Sequence, residues 1–384
     1  MRPWYLPFAA WHAVSATASS AAGVLAMQSM LYAVGVGSGS VALAGAVNWV
    51  LKDGIGQLGG MLFASHTATG FDHNPQRWRL LSALALDAAC LLEVATAVFP
   101  GLFLPMAAVA NIGKNVAWLS ASATRASIHQ SASNTGALAD VTAKSGSQSM
   151  AASTLGTGLG IALSPLVGSD PAAIAPAFLV LSAVHLGALL QSMRHVALRS
   201  VNEQRLEGAL AGGAHSRVLL PEEVSSVQTQ TWGSIMAPHV PEVAVNAPIA
   251  SLDEQCRQLL LEGWSAAAED AAVVCSSTAA LCIVQPEYTV LVHSQLGAWA
   301  WVAESAPPKA CLSAYMHALL LKRSGAEAAA QLRAANEELL GGGLRRLEEE
   351  LDEGGWNTGQ PLLEPMQRRG VLGAIKSALA TPRG

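Results

Sequence analysis

The first half of this chain has almost no charge. Residues 1–200 hold 9 Lys/Arg and 6 Asp/Glu, and no acidic residue precedes Asp53. Over all 384 residues only 13% are charged, about half the share of a typical soluble protein. So thin a polar covering excludes an ordinary solvated surface over residues 1–200. Basic patches and stripes are also missing, and this argues against nucleic acid as a partner. There is no C-x-x-C pair. Cys90, Cys256, Cys275, Cys282 and Cys311 are odd in number and scattered, which fits neither a zinc spacing nor a disulfide framework. They are expected to be reduced and mostly buried, in a cytosolic, stromal or matrix-facing compartment. H-E-x-x-H and G-x-S-x-G are absent, and "GTGLG" (156–160) lacks the Lys-Ser/Thr of a P-loop. The histidines stand singly, and His185, inside an apolar run, reads as a satisfied core residue. No catalytic, cofactor or metal site is therefore expected.

What the first half does have is long Ala-rich segments separated by Gly/Pro punctuation. The spacing predicts helices over roughly 8–33, 40–65, 76–98, 102–131, 135–164 and 172–210, with breaks at "GVGSGS", "TGFDHNP", "FPG" and "LSPLVGSDP". Several approach the ~20 apolar residues that span a bilayer. The strongest is 172–193, with Arg194, His195 and Arg199 at its end. Others carry Asp87, Glu93 or Lys114, which disfavours lone lipid-facing helices. The pattern admits both a soluble bundle and a membrane-embedded one. The N-terminus is acid-free and rich in Ser, Thr and Ala, as transit peptides are. Its apolar residues nevertheless run straight into the first helix, so any targeting segment is expected upstream.

The second half is ordinary by contrast, with 13 Lys/Arg and 21 Asp/Glu and so a net charge of −8 against +3 for residues 1–200. The Pro-rich, unperiodic 220–248 reads as linker. "ALCIVQPEYTVLVHS" (280–294) predicts two strands around a Pro-Glu turn, and "PKACLSAYMHALLLKR" predicts a helix. Leu332, Leu339, Leu340, Leu344, Leu347 and Leu351 form an apolar stripe read as a packing face. The expectation is a mainly α protein: a helical core over 1–215, a linker over 216–248 and a small α+β domain over 249–384.

Gly54, Gly56 and Gly59 fit G-x-G-x-x-G, the spacing of a dinucleotide loop. Such a loop follows a buried strand and opens a helix, with an acid about 20 residues on. Here the glycines sit inside a helix-like run and no β-α-β alternation follows. Gly56 and Gly60 instead lie four apart, a spacing repeated at Gly156 and Gly160. Both pairs are expected to be grooves where another helix packs closely.

The same region resembles the ROOT UVB SENSITIVE (RUS) family, best known from plants. "GVGSGSVALAGAVNWVLKDGIGQLGGMLFA" is similar to its core signature. The match continues through Trp78, Arg79, Asp87, Glu93 and Pro100, then Asn111, Lys114, Thr124 and Arg125. Asp140, Val141, Lys144, Ser147 and Gln148 follow, with "VNEQR" (201–205) and Trp356 beyond them. Ala83 and His12 depart from positions where that family usually carries acids, Ala137 stands where Asn is common, and the segment that usually precedes Tyr5 is absent. The resemblance implies a non-enzymatic, plastid- or membrane-associated protein that acts in complexes with paralogues, in UV-B responses, auxin distribution and early seedling development.

The remaining question is what the few charges of the first half do. Lys52, Asp53, Arg79, Asp87, Glu93, Lys114, Arg125, Asp140 and Lys144 nearly all fall in the family-like blocks. Charges in so apolar a setting must pair or face water. One expectation is a buried ion-pair network in a membrane-associated scaffold that works through a protein partner, a RUS paralogue. The other is a polar cavity in a membrane carrier or binding protein for a small molecule. A water-accessible cavity lined by Lys114, Arg125, Asp140 and Lys144 would mark the second, and a closed, fully paired network the first.

Overall fold

The computed structural model describes residues 2–34, 43–67, 71–133, 138–228, 231–237, 239–267, 272–276, 280–303, 305–326 and 328–363. They form two units, Met1–Leu198 with Ser225–Ala237, and Arg199–Val224 with Pro238–Gly384. This division differs from the expected boundary at 215, and residues 216–248 are shared between the units rather than lying apart as a linker.

The Ala-rich segments of the first unit form six long helices, α1 (Tyr5–Ala33), α2 (Leu43–Thr67), α3 (Pro75–Ala95), α4 (Phe103–Ala132), α5 (Leu138–Val167) and α6 (Pro171–Arg194). Their starts are written locally. The side chains of Asn74 and Asp170 accept backbone N–H bonds at the heads of α3 and α6, each followed by a proline, which needs no N–H partner there. Helix α1 is central and packs on α5, α6 and α3; α3 packs on α4, and α4 on α2. Small side chains such as Ala21, Ala22 and Ala26 fill the seams and let backbones approach closely. Buried hydroxyls are satisfied by carbonyls, as where Ser192 Oγ donates to Phe8 O at 3.0 Å. The outside is apolar: Leu6, Val50, Met61, Trp118, Leu155 and Leu166 are all exposed. The stretches Pro100–Ala132, Leu138–Val167 and Pro171–Arg194 are long and apolar enough to cross a membrane.

The helix expected over 172–210 stops at Arg194. Beyond Leu198 the chain becomes β1 (Ser200–Asn202), which pairs with a strand more than 150 residues away, and Asn202 Oδ1 then caps α7 (Glu203–Ala209) at 2.9 Å from Arg205 N. Apolar content alone does not register such a change of partner. Within 216–248 lie α8 (Pro221–Gln228), α9 (Trp232–Met236) and β2 (Val243–Val245), all too short to give a periodic signal.

The second unit is built on β2 with a meander of β3 (Ala272–Ser276), β4 (Ala280–Val284), β5 (Tyr288–His293) and β6 (Gly297–Val302), in the order β2-β6-β5-β4-β3. β2 runs parallel to β6 and the other pairs are antiparallel. Helix α10 (Glu254–Ala266) covers one face, where Cys282, Leu291 and Trp301 are buried with Trp264. Helix α11 (Pro308–Arg323) covers the other, with Leu281, Ile283, Val290 and Val292. Coverage of both faces explains why these strands read as continuous apolar runs rather than alternating ones. α12 (Ala329–Glu338) and α13 (Leu344–Glu353) are joined by a wide turn at Leu339–Gly343, in which Gly342 has φ 131°, a conformation open to glycine. Leu332, Leu339, Leu344, Leu347 and Leu351 are buried, while Leu340 is exposed because the turn shifts the helical phase. β7 (Asn357–Leu362) pairs parallel with β1.

A candidate binding cavity in the helical unit

The glycine rows lie where helices touch. A Cβ on Gly56 would run into the Asn111 side chain of α4, and one on Gly60 would stand 2.8 Å from Asn115 Cβ. On α5, Gly156 faces the carbonyl of Thr17 on α1, and a Cβ on Gly160 would stand 2.7 Å from Val24 Cβ. These glycines lie inside α2 and α5, so the space they leave, not an unusual backbone angle, accounts for them. Gly54, by contrast, faces open space, and no strand precedes α2 among the described residues.

The nine charges separate into five groups. Lys52 and Asp53 form a 2.6 Å pair on α2, and Asn111 Nδ2 donates to Lys52 O and Asp53 Oδ1, both at 3.1 Å. Lys52 also lies over the Trp49 ring. Nearby, Lys114 on α4 pairs with Glu93 on α3, whose side chain is fully buried. Asp87 on α3 accepts from Ser182 and meets His185 Nδ1 at 2.8 Å, both on α6. Asp140 and Lys144 form an exposed i,i+4 pair on α5.

Arg79 on α3 and Arg125 on α4 form the fifth group, and among the described residues neither has a carboxylate within ion-pair distance. They line a cavity of about 500 Å³ bounded by α1, α3, α4, α5 and α6. Arg79 is packed within the bundle yet keeps accessible surface, as a side chain facing an internal space must, while Arg125 is exposed. The two guanidinium charges lie within electrostatic reach of each other. His12 shares the wall, stacks on Phe8 with ring centroids 5.7 Å apart, and has a buried Nδ1 with no hydrogen-bond partner. Six serines also contribute, and Ser19, Ser20, Ser149 and Ser153 have no hydrogen bond to another group among the described residues. Among the described residues no Asp or Glu lines the cavity; the carboxylate behind it, on Asp87, is already engaged by Ser182 and His185.

The expected lining is thus partly replaced. Arg125 is there, but Lys114 is paired with Glu93, and Asp140 and Lys144 stand on the outer surface. His185 is both a satisfied histidine and part of the wall. Sequence reasoning did not place Arg79 and His12 in one wall with Arg125. One signal pointed there: Ser15/Ser19 and Ser149/Ser153 repeat at one-turn spacing inside apolar helices. Among the described residues no group of three or more His, Cys, Asp or Glu is placed to hold a metal.

A family model described as the vitamin B6 photo-protection and homoeostasis domain matches residues 1–212, which contain the whole cavity. The chain belongs to the root UVB sensitive family. It is 27% identical over 372 residues to "Protein root UVB sensitive 3" of Arabidopsis thaliana, covering 94% of this chain and 81% of that one. It is 34% identical over 201 residues to "Protein root UVB sensitive 2, chloroplastic" from the same plant, covering 52% and 46%. "RUS family member 1" of Dictyostelium discoideum is 30% identical over 205 residues, covering 52% and 39%. The chain thus spans four fifths of the first of these relatives and less than half of the other two. No solved structure matches it. The family's descriptions speak of UV-B sensitivity and vitamin B6 homoeostasis, and none names a reaction.

Proposed function

We propose that this root UVB sensitive protein is a membrane-embedded, non-enzymatic carrier or binding protein for a small polar molecule. The observation that supports this reading is the cavity with its two unpaired arginines. Its volume falls within the roughly 300–1,000 Å³ of ordinary small-molecule sites. Ionisable residues that face a cavity inside an apolar bundle mark substrate sites and pathways by default, because leaving them unpaired is costly. The family's tie to vitamin B6 homoeostasis suggests a B6 vitamer as occupant, and the chloroplastic relative suggests an organelle membrane. Two measurements test this. Carbonate extraction should leave the chain in the membrane fraction. Calorimetry on the full chain in detergent should show binding of pyridoxine or pyridoxine 5′-phosphate that Ala121→Trp, which fills the cavity, abolishes. Release by carbonate, or vitamer binding indifferent to Ala121→Trp, would overturn the reading.

A second reading is a scaffold that works through a protein partner, such as a paralogous chain. It is favoured by the outward row of α2, where Val50, Leu58, Met61 and Leu62 are all strongly exposed. Affinity purification of wild type beside Leu58→Ser/Met61→Ser tests it: a partner lost only from the double variant supports the scaffold.

A further inference from the structure

We infer that the cavity is an anion site: Arg79 and Arg125 together grip the phosphate or carboxylate group of a small organic molecule, and the free hydroxyls of Ser19, Ser20, Ser149 and Ser153 surround it. This deepens the proposed function by naming the class of occupant, and it rests on that reading for the cavity's being a binding site at all.

The argument begins with charge balance. Of the other charges singled out in the helical unit, Lys52 pairs with Asp53, Lys114 with Glu93, and Asp87 with Ser182 and His185. Among the described residues, half-buried Arg79 and exposed Arg125 have no carboxylate partner. They sit in one wall system, within reach of each other's charge, with no carboxylate among the lining residues. Two like charges brought together in an apolar bundle repel, and the repulsion is relieved only by a counter-charge placed between them or by water. A guanidinium presents a planar fork of donors that fits the oxygens of phosphate and carboxylate two at a time. The rest of the lining is suited to the same ligand. Four serine hydroxyls are free to donate, and His12 Nδ1 is buried without a partner. The remaining wall, including Leu86, Trp118, Met150 and Leu189, is apolar and suits the uncharged body of an organic ligand rather than a bare ion.

The phosphate could come from a soluble ester or from a lipid headgroup, because Arg125 is exposed where the lining passes from α4 to α5. The test therefore has three arms on the purified full chain. First, thermal unfolding is measured in sodium phosphate and in sodium chloride at matched ionic strength. A saturable rise with phosphate is expected, and no rise would overturn the inference. Second, pyridoxine 5′-phosphate is compared with pyridoxine, which differs only by the phosphate and, like the ester, has no aldehyde to react with lysines. Arg125→Gln should weaken the ester about 10- to 100-fold, the effect of one hydrogen-bonded charge contact, and leave pyridoxine unchanged. Equal binding of the two, both blocked by Ala121→Trp, would overturn the anion site and leave the proposed function standing. Failure of both vitamers while phosphate still stabilises through the arginines would do the reverse. Third, phosphatidic acid in phosphatidylcholine nanodiscs is set against the soluble ester; displacement of the ester assigns the site to a lipid headgroup, and its absence assigns it to the soluble ester. His12→Asp guards against misfolding. It places a carboxylate beside the arginines, so it should abolish the response to phosphate while melting no lower than wild type, a combination that a damaged fold does not give.

Discussion

Gly156 and Gly158 lie two residues apart on α5, and replacing each by alanine should move stability in opposite directions. Alanine is favoured over glycine in a helix interior by about 1 kcal/mol, so both variants gain this term. Gly158 faces open space, and a methyl group there meets nothing. Gly156 faces α1: its Cβ would collide with the Thr17 carbonyl oxygen and stand 2.8 Å from Ser20 Cβ. The obstacle is backbone, and it is pinned one turn away by the bond from Thr17 Oγ1 to Ala152 O, 3.1 Å. No side chain can rotate aside, so α5 must move away from α1. Overpacking of this kind costs about 1–3 kcal/mol, and a backbone obstacle places it toward the upper end. The difference between the two variants removes the propensity term and leaves roughly the clash itself. At about 2–4 °C per kcal/mol for a unit of this size, Gly156→Ala should melt about 2–12 °C below Gly158→Ala. Thermal unfolding in one detergent, followed by circular dichroism, measures this directly. Because α5 carries Ser149 and Ser153 into the cavity, Gly156→Ala should also weaken binding there. Equal melting temperatures for the two variants would refute the close-packing account of these glycines.

Three further outcomes are expected. Lys114→Met should cost about 3–5 kcal/mol, the usual result of stranding a buried charge, here Glu93, and Lys114→Met with Glu93→Gln should recover most of it in thermal unfolding. His317 is fully buried, with Tyr288 OH at 3.2 Å from Nδ1 and Asn336 Oδ1 at 2.8 Å from Nε2; burial holds its pKa down at about 4, against an opposing pull from Asn336. A depressed histidine stabilises the fold fully above its unfolded value near 6.5 and loses that contribution as pH falls towards 4. Urea unfolding should therefore weaken by about 3 kcal/mol across this window, and His317→Gln should flatten the dependence. Finally, Trp264 Nε1 donates to the buried Thr289 Oγ1 at 3.0 Å, so Trp264→Phe and Thr289→Val should each cost about 1–3 kcal/mol. A double-mutant cycle should recover about 1 kcal/mol of coupling, and strict additivity would deny the bond.

Most of the fold was legible because the first half is written in long units. Segments of some 20–30 residues leave little doubt about helix, and α3 and α6 start at Pro75 and Pro171, one residue before the expected 76 and 172. "ALCIVQPEYTVLVH" announced β4 and β5 through its β-branched residues and turn. Elements whose reason lies far away in sequence were lost. β2 exists because Val243 finds Ala298, and β1 because Ser200 finds Asn357; neither strand has a local pattern of its own. Leu340 lies in the expected packing stripe but is exposed, because the Leu339–Gly343 turn, with Gly342 at φ 131°, shifts its helical phase.

The cavity was half legible for a different reason. Scarcity of charge told which residues to watch, since each charge in so apolar a bundle requires a partner, a wet surface or a polar space. It could not tell which of these each residue has, because that depends on which helices adjoin. Glu93 and Lys114 sit 21 residues apart and meet across the α3–α4 seam, while Asp140 and Lys144, at ideal pairing distance along one helix, face outward and form a pair exposed on both sides. Exposed pairs of this kind contribute little, typically less than about 1 kcal/mol, so loss of Lys144 should be tolerated. Arg79 and Arg125 resisted sequence reading most, because nothing about an arginine in a helix announces that its neighbour across the bundle is another arginine. A bundle could remove the resulting repulsion with one acid at position 12 or 83. This chain has histidine and alanine there, and the positive charge is left facing the cavity. Water serves exposed Arg125, but Arg79 is half-buried in an apolar wall with no carboxylate beside it; a negatively charged occupant of the cavity gives that arrangement a reason.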